Sequence, residues 1–137
     1  MAKQVVRYNR ELAHTAKVAS GVTVAEGDLL AIVSNEWVLA DADTSVNREA
    51  VCVALKDGAA ADYIAGSPQA VVEGFSSLTA GAQQYLSGTA GGITATRPTT
   101  AGDTIQPVGL ALTTTKVMFN ICAPAIVAQA AGTTTLG

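Results

Sequence analysis

The chain contains few of the side chains on which catalytic and metal sites depend. Its 137 residues include one histidine and two cysteines, and only 14% of them are charged. Neither Cys52 nor Cys122 belongs to a Cys-x-x-Cys pair, and we expect both to be small buried residues. His14 lies in a polar N-terminal stretch that offers no partners for acid–base or nucleophilic chemistry. The sequence therefore predicts no enzyme, no metal site and no cofactor.

Aromatic residues and long apolar runs are also scarce. Aromatic residues make up 4% of the chain and hydrophobic residues 49%, so the core must be built from Ala, Val, Leu and Ile. No apolar run approaches the ~18 residues of a membrane span, and the first residues lack the apolar segment of a secretory signal. We expect one soluble domain, made in a reducing cytoplasm and without a membrane partner.

The low charge predicts that part of the surface is buried against other subunits. Globular proteins usually contain ~25% charged residues, and exposed uncharged, apolar surface commonly marks contact sites. The net charge of −3 is uneven, because residues 1–17 carry +3 and the remainder carries −6. A basic leading segment on an acidic body favours docking onto an acidic partner or a neighbouring copy. The acidic body argues against nucleic acid as a partner.

The hydrophobic pattern predicts an all-β fold. Short β-prone runs are separated by turn signals every ~8–12 residues and show no helical period, which is typical of a small barrel or sandwich. Ser34-Asn35 is a candidate two-residue hairpin turn. The run at 49–55 is apolar on both faces and predicts a strand that is buried on both sides. The main predicted strands are 22–24, 29–33, 36–40, 49–55, 62–65, 69–75, 82–87, 93–96, 104–113 and 116–121.

Three segments are expected along the chain. Residues 1–16 read as an N-terminal arm that becomes ordered on contact with a partner, with a short helix over 9–16 as an alternative. Residues 17–122 form the β-barrel body. Residues 123–137 form a tail, either an Ala-rich helix or an extended arm.

Two features could suggest a ligand site. Asp41 and Asp43 lie in a polar loop with Asn47 and Glu49 nearby, but the spacing of a calcium-binding loop is absent. This predicts a solvated loop, with a weak ion site as the alternative. The Gly-rich stretches 88–92 and 100–103 lead into strands rather than helices, so they predict turns and not phosphate loops.

The order of five motifs between residues 21 and 121 resembles a family of small tailed-bacteriophage proteins, the head decoration or capsid cement proteins. The motifs are EGDLLAI (26–32), AVCVALKDGAAAD (50–62), AVVEGF (70–75), LTAGAQQYLSGTAGGITA (78–95) and GDTIQPVGLALTTTKVMFNI (102–121). The resemblance implies a compact β-barrel or β-tulip domain. It also implies a homotrimer on the outer surface of the virion, bound to the major capsid protein and bridging neighbouring capsomers.

The resemblance also suggests where contacts lie. The N-terminal arm lies outside the resembling segment, but on this hypothesis the residues expected to contact the capsid or a neighbouring copy are Val5, Arg7, Tyr8 and Arg10. Trp37 and Phe75 are candidates for contacts between subunits, although core packing is the alternative for Trp37, as it is for Tyr85.

Two other functions remain open. One is a tail or head-fibre module that binds a host surface glycan, which is disfavoured because loops 41–48 and 97–103 contain no aromatic residue. The other is a barrel with a cavity for a small molecule, which a sequence cannot show.

Overall fold

Short strands account for nearly all regular structure in the computed structural model, which describes residues 2–121 and 126–127. A single 3₁₀ turn, Arg10–Leu12, is the only helical element in this part of the chain, and no described helix could span a membrane. The strands are β1 Gln4–Tyr8, β2 His14–Val18, β3 Leu29–Val33, β4 Glu36–Leu39, β5 Cys52–Ala54, β6 Tyr63–Ser67, β7 Gln69–Glu73, β8 Gln83–Leu86, β9 Ile93–Thr94, β10 Thr104–Ile105, β11 Pro107–Ala111, β12 Lys116–Asn120 and β13 Ile126–Val127.

Five strands close into a small barrel in the order β2-β4-β3-β5-β6. The barrel closes through a short parallel pairing of β2 with β4, whereas its other pairings are antiparallel. Trp37 fills the interior with no exposed area, and its indole Nε1–H donates to the Ile64 carbonyl at 2.9 Å. The other buried side chains of this core are aliphatic or thiol: Ala16, Val18, Val24, Leu30, Cys52, Ala54 and Ile64.

Six further strands form a second sheet in the order β1-β7-β12-β11-β8-β9, and β10 pairs separately with β13. The chain passes from the barrel into this sheet at Pro68, which separates β6 from β7. Side chains in β7 and β12 alternate strictly between buried and more exposed positions. The sheet therefore has an inner, apolar face and an outer face that no described part of the chain covers.

A second core joins the inner face of the sheet to the outside of the barrel. Leu29, Val38 and Val53 from the barrel pack with Val72 and Phe119 from the sheet. Strand β5 takes part in both cores, because Val53 lies in the shared core while its neighbours Cys52 and Ala54 lie inside the barrel. The prediction of a strand buried on both sides is therefore confirmed for its centre only, because the predicted run 49–55 is a strand only at Cys52–Ala54 and Val51 is 36% exposed.

Several local predictions are confirmed. Ser34 and Asn35 both have positive φ, 52° and 67°, as a two-residue hairpin turn between β3 and β4 requires. The predicted strands near 29–33, 36–40, 69–75, 82–87 and 116–121 all form, with slightly different ends. The predicted strand 104–113 is divided into β10 and β11 around Gln106. The 22–24 run makes only an isolated bridge at Val24.

The N-terminal segment differs from the expected free arm. Residues 4–8 form β1 at the edge of the six-stranded sheet, and residues 14–18 form β2 of the barrel. The expected boundary between residues 16 and 17 therefore falls inside a barrel strand. Apolar Val5, Ala16 and Val18 supply the physical reason, because each packs against one of the two cores. Most of the expected tail at 123–137, and Cys122, lie outside the described residues.

Gln106, which lies between β10 and β11, pairs with a distant backbone segment. Its side chain is 1% exposed, and its amide pairs with the backbone of Ala50. Oε1 accepts from the Ala50 N–H and Nε2 donates to the Ala50 carbonyl, both at 2.8 Å. The side chain thus replaces a strand partner that Ala50 would otherwise lack.

Candidate binding surface

The outer face of the six-stranded sheet carries an exposed apolar row. Strand register places Val71 of β7, Met118 of β12 and Leu110 of β11 side by side. Met118 is 43% exposed and Leu110 is 37% exposed, although both lie on central strands of the sheet. Arg7 of β1 ends the row on one side and Gln83 of β8 ends it on the other. We call these five residues the outer row.

The charges around the outer row are nearly all compensated. Next to the row, Lys116 Nζ lies 3.8 Å from Glu73 Oε1, and both side chains are partly exposed. Arg7 is exposed and forms no salt bridge with any described residue. The guanidinium of Arg7 is therefore the one uncompensated charge that these sheet strands present beside the apolar side chains.

On the side away from the Glu73–Lys116 pair, the outer row is bordered by a chain of side-chain amides. Asn9 Nδ2 donates to Gln69 Oε1 at 2.9 Å, and Gln69 Nε2 donates to Asn120 Oδ1 at 3.3 Å. Asn9 itself is held in place because its Oδ1 accepts from the Glu11 backbone N–H. The chain of donors ends at the exposed Asn120 amide, which makes no hydrogen bond from Nδ2 to a described residue. A bound molecule could accept a hydrogen bond there.

A shallow depression of about 370 Å³ lies between the amide chain and the outer row. Its apolar floor comes from the sheet, including Val71, Met118 and part of Phe119, and its rim includes Arg7 and Tyr8. It is open to solvent rather than enclosed. Such a surface can bind an apolar group with a nearby carboxylate.

The N-terminal strand is anchored next to this surface. Lys3 Nζ lies 2.7 Å from Asp28 Oδ1, and the Val5 N–H donates to Glu26 Oε2 at 2.7 Å. Gly74, with φ of +107°, lets the chain pass close by, since an added Cβ would meet the backbone of Ala2 and Lys3 at 2.5–2.8 Å. These contacts hold β1 in register and so position Arg7.

The residues expected to contact a capsid or neighbour are placed differently from one another. Arg7 and Tyr8 are exposed and lie at the candidate surface. Arg10 is exposed in the 3₁₀ turn, outside the depression. Val5 is partly buried against the shared core, so packing within the chain accounts for it.

The two residues suggested for contacts between subunits are engaged within the chain. Trp37 is fully buried inside the barrel and has no surface left for another subunit. Its ring also meets His14 edge-on, with centroids 5.7 Å apart. Phe75 is partly buried against the shared core, 6.2 Å from the Phe119 ring, and the Lys3 ammonium lies 5.8 Å from its ring centre. For Trp37 the structure therefore shows core packing, which was the alternative interpretation of this residue.

The acidic loop is organised by its own carboxylates. Asp41 Oδ1 accepts from the Asp43 N–H, and Asp43 Oδ1 accepts from both the backbone N–H and the hydroxyl of Ser45. The backbone hydrogen bond from Ser45, with that from its hydroxyl, lowers the pKa of Asp43. Within residues 2–121 and 126–127, no three His, Cys, Asp or Glu residues gather as a metal site would need.

Sequence reasoning did not single out Val71, Met118, Leu110 or the amides. A signal was present, since AVVEG and KVMFN both alternate in a way that sends one set of side chains to each face. The register that aligns these sets in one row depends on pairing between distant segments, which no local pattern reveals. In comparisons with family models, curated proteins and solved structures, no match to this chain was found.

Proposed function

We propose that this chain is a structural protein of a tailed-phage virion, a decoration protein that binds the outside of the head. In this role it bridges neighbouring capsomers and stabilises the shell. The observation that carries the proposal is the apolar centre of the outer row, Val71, Met118 and Leu110, which lies on inner strands of the sheet and which no described part of the chain covers. Apolar patches that a single subunit leaves uncovered typically mark interaction surfaces.

The all-β architecture suits such a role. Two cores shared through β5 make the barrel and the sheet a well-packed support for a flat binding face. A shell under internal pressure needs ties between its subunits, and contacts that are weak singly become strong when repeated on a lattice. The motif order that resembles the decoration family runs through the barrel and the sheet, which adds to the proposal.

The structure changes which part of the chain we expect to make contact. A free arm would bind as an extended segment, whereas β1 presents Arg7 and Tyr8 from a fixed sheet. Removing residues 1–16 would delete β1 and most of β2, so that truncation would disrupt both sheets and would not test binding. Point substitutions on the outer face are the suitable probes.

Co-sedimentation with phage heads tests the proposal. Heads from the phage that encodes this chain, assembled without it, are mixed with the purified full-length protein and pelleted. We expect saturable binding, density outside the shell by cryo-electron microscopy, and greater resistance of the heads to heat. We also expect the free protein to sediment as a trimer. An absence of binding to heads at micromolar concentrations would reject the proposal.

The second candidate function is binding of a host surface glycan, and one observation favours it. Tyr63 is 68% exposed on the barrel and borders a depression lined also by His14, Asn35 and Glu36. Exposed aromatic rings beside polar groups suit the mixed polar and apolar surface of a sugar. A glycan-array signal that Tyr63→Ala removes, in a protein that does not bind heads, would favour this function.

A further inference from the structure

We propose that the outer row binds an extended protein segment that crosses the sheet strands, with a carboxylate opposite Arg7 and apolar side chains over Val71, Met118 and Leu110. This deepens the proposed function, on which it rests for the segment's source, a shell protein. The predicted pattern is one acidic residue followed by apolar residues two and four positions later.

The spacing of the outer row leads to this pattern. Neighbouring strands lie ~4.8 Å apart, so Leu110, three strands from Arg7, lies ~14 Å from it along the row. In an extended segment, side chains on one face repeat every ~6.7 Å. An acidic side chain over Arg7 therefore places the next apolar side chain between Val71 and Met118 and the one after it over Leu110. Crossing at a steep angle is a recognised way for strands to pack face to face.

The uncompensated charge of Arg7 favours an acidic residue at one end of the bound segment. It also argues against a second copy of this chain as the occupant. Two copies that met through this face would each bury an Arg7 guanidinium without bringing an uncompensated carboxylate from the same strands. A buried cation without a partner is costly, whereas a bidentate carboxylate satisfies it well. The Glu73–Lys116 pair is already compensated and so leaves the acidic partner to Arg7.

The chemistry of the centre favours a peptide over a sugar. Between Arg7 and Gln83 the outer row presents three aliphatic or thioether side chains and no polar side-chain atom. Sugar hydroxyls would lose hydrogen bonds to water there without replacement. The neighbouring Asn120 amide is placed to donate to a backbone carbonyl of the segment. Extension of the sheet at β1 fits less well, because a bulge at Val6 breaks the regular register of that edge.

Titration by NMR with a short peptide tests the binding mode directly. The probe is an acetylated, amidated peptide with the sequence Ser-Asp-Ser-Leu-Ser-Val-Ser, added to the full-length protein at up to millimolar concentration. We expect the largest methyl shifts at Val71, Met118 and Leu110. Arg7→Glu should weaken binding at least tenfold, and a peptide with Lys in place of Asp should restore it to that variant. Shifts that appear elsewhere, or a charge exchange without effect, would overturn the proposal.

Matched substitutions separate the surface from general effects. Met118→Ser should abolish the shifts at the outer row, whereas Val33→Ser should not, although Val33 on the barrel is equally exposed at 42%. Arg97→Gln removes an exposed charge from the loop between β9 and β10, outside the outer row, and should leave peptide binding unchanged. Unfolding midpoints of the variants confirm that each is folded.

The same variants distinguish this proposal from the proposed function. If heads bind the wild-type protein and bind Arg7→Glu and Met118→Ser equally well, the docking surface is wrong and the decoration role stands. If the peptide binds as expected but heads do not, the docking mode stands and the decoration role is wrong. If Met118→Ser dissociates an oligomer, or removal of residues 128–137 exposes the row, the occupant is a second copy or the chain's own terminus, and the proposal is overturned.

Discussion

Replacement of Gln106 tests whether its buried amide acts as a strand partner for Ala50. Both residues are almost fully buried, and the Ala50 N–H and C=O make no other hydrogen bond to a described residue. Gln106→Leu fills similar space but leaves both groups unpaired. Each unpaired buried group costs about 1–3 kcal/mol, so for the two groups we expect a loss of about 2–6 kcal/mol in the free energy of unfolding.

Gln106→Glu gives a sharper test because its effect depends on pH. A neutral carboxyl group can donate through O–H and accept through C=O, as the amide does, whereas an ionised group has no donor for the Ala50 carbonyl. Burial and the missing donor raise the pKa of the introduced group in the folded state above its ordinary value near 4.3. The free energy of unfolding of this variant is therefore highest below that ordinary value. Between that value and the folded-state pKa it falls by about 1.4 kcal/mol for each unit of rising pH.

Urea unfolding between pH 4 and pH 7 provides the measurement. The difference in the free energy of unfolding between Gln106→Glu and the wild-type protein should grow by about 2.7 kcal/mol as the pH rises by two units within this range. Gln83→Glu makes the same chemical change at an exposed site and should show little of this trend. A difference that stays constant with pH, or a Gln106→Leu protein as stable as wild type, would refute the strand-partner role.

Two further experiments test the sheet and the buried thiol. Gly109→Ala should lower the unfolding midpoint far more than Gly81→Ala. An added Cβ at Gly109 would lie 2.5 Å from the Met118 carbonyl oxygen, whereas Gly81 has open space around it and only an unfavourable φ. Equal decreases of the two midpoints in thermal melts would contradict this reasoning. Burial raises the pKa of Cys52 to about 11. In a Cys122→Ser background, a disulfide reagent at pH 8 should therefore react on the order of a hundredfold more slowly with the native protein than with the urea-unfolded protein. Equal reaction rates would show that the thiol is accessible in the native protein.

Local features of this fold were readable from the sequence because they depend on neighbouring residues. Ser34-Asn35 tolerates the positive φ of a tight hairpin turn, and that turn forms. The continuous apolar run around Val53 predicts a strand with two buried faces, and β5 has them. The all-β class follows from many such short runs between turns. Scarcity of aromatic residues likewise leaves both cores mainly aliphatic.

The candidate site was only partly predictable. Arg7 and Tyr8 were identified from the basic, apolar N-terminal segment, and both lie at the surface we propose for binding. The segment's state was misjudged, since a polar stretch without a clear period resembles a free arm. Its few apolar residues, such as Val5, become strand-forming only when a sheet edge and an anchoring carboxylate such as Glu26 are supplied by distant parts of the chain.

What the sequence determined by itself is the class of fold, its turns, and a surface poor in charge. Only the tertiary structure decided that β2 closes the barrel beside β4, that Gln106 substitutes for a strand, and that Val71, Met118 and Leu110 line up beside Arg7. The physical reason is that turn and strand preferences arise within a few residues. Register between distant strands arises from burying both cores at once, and a shift of one residue would turn the outer row inward.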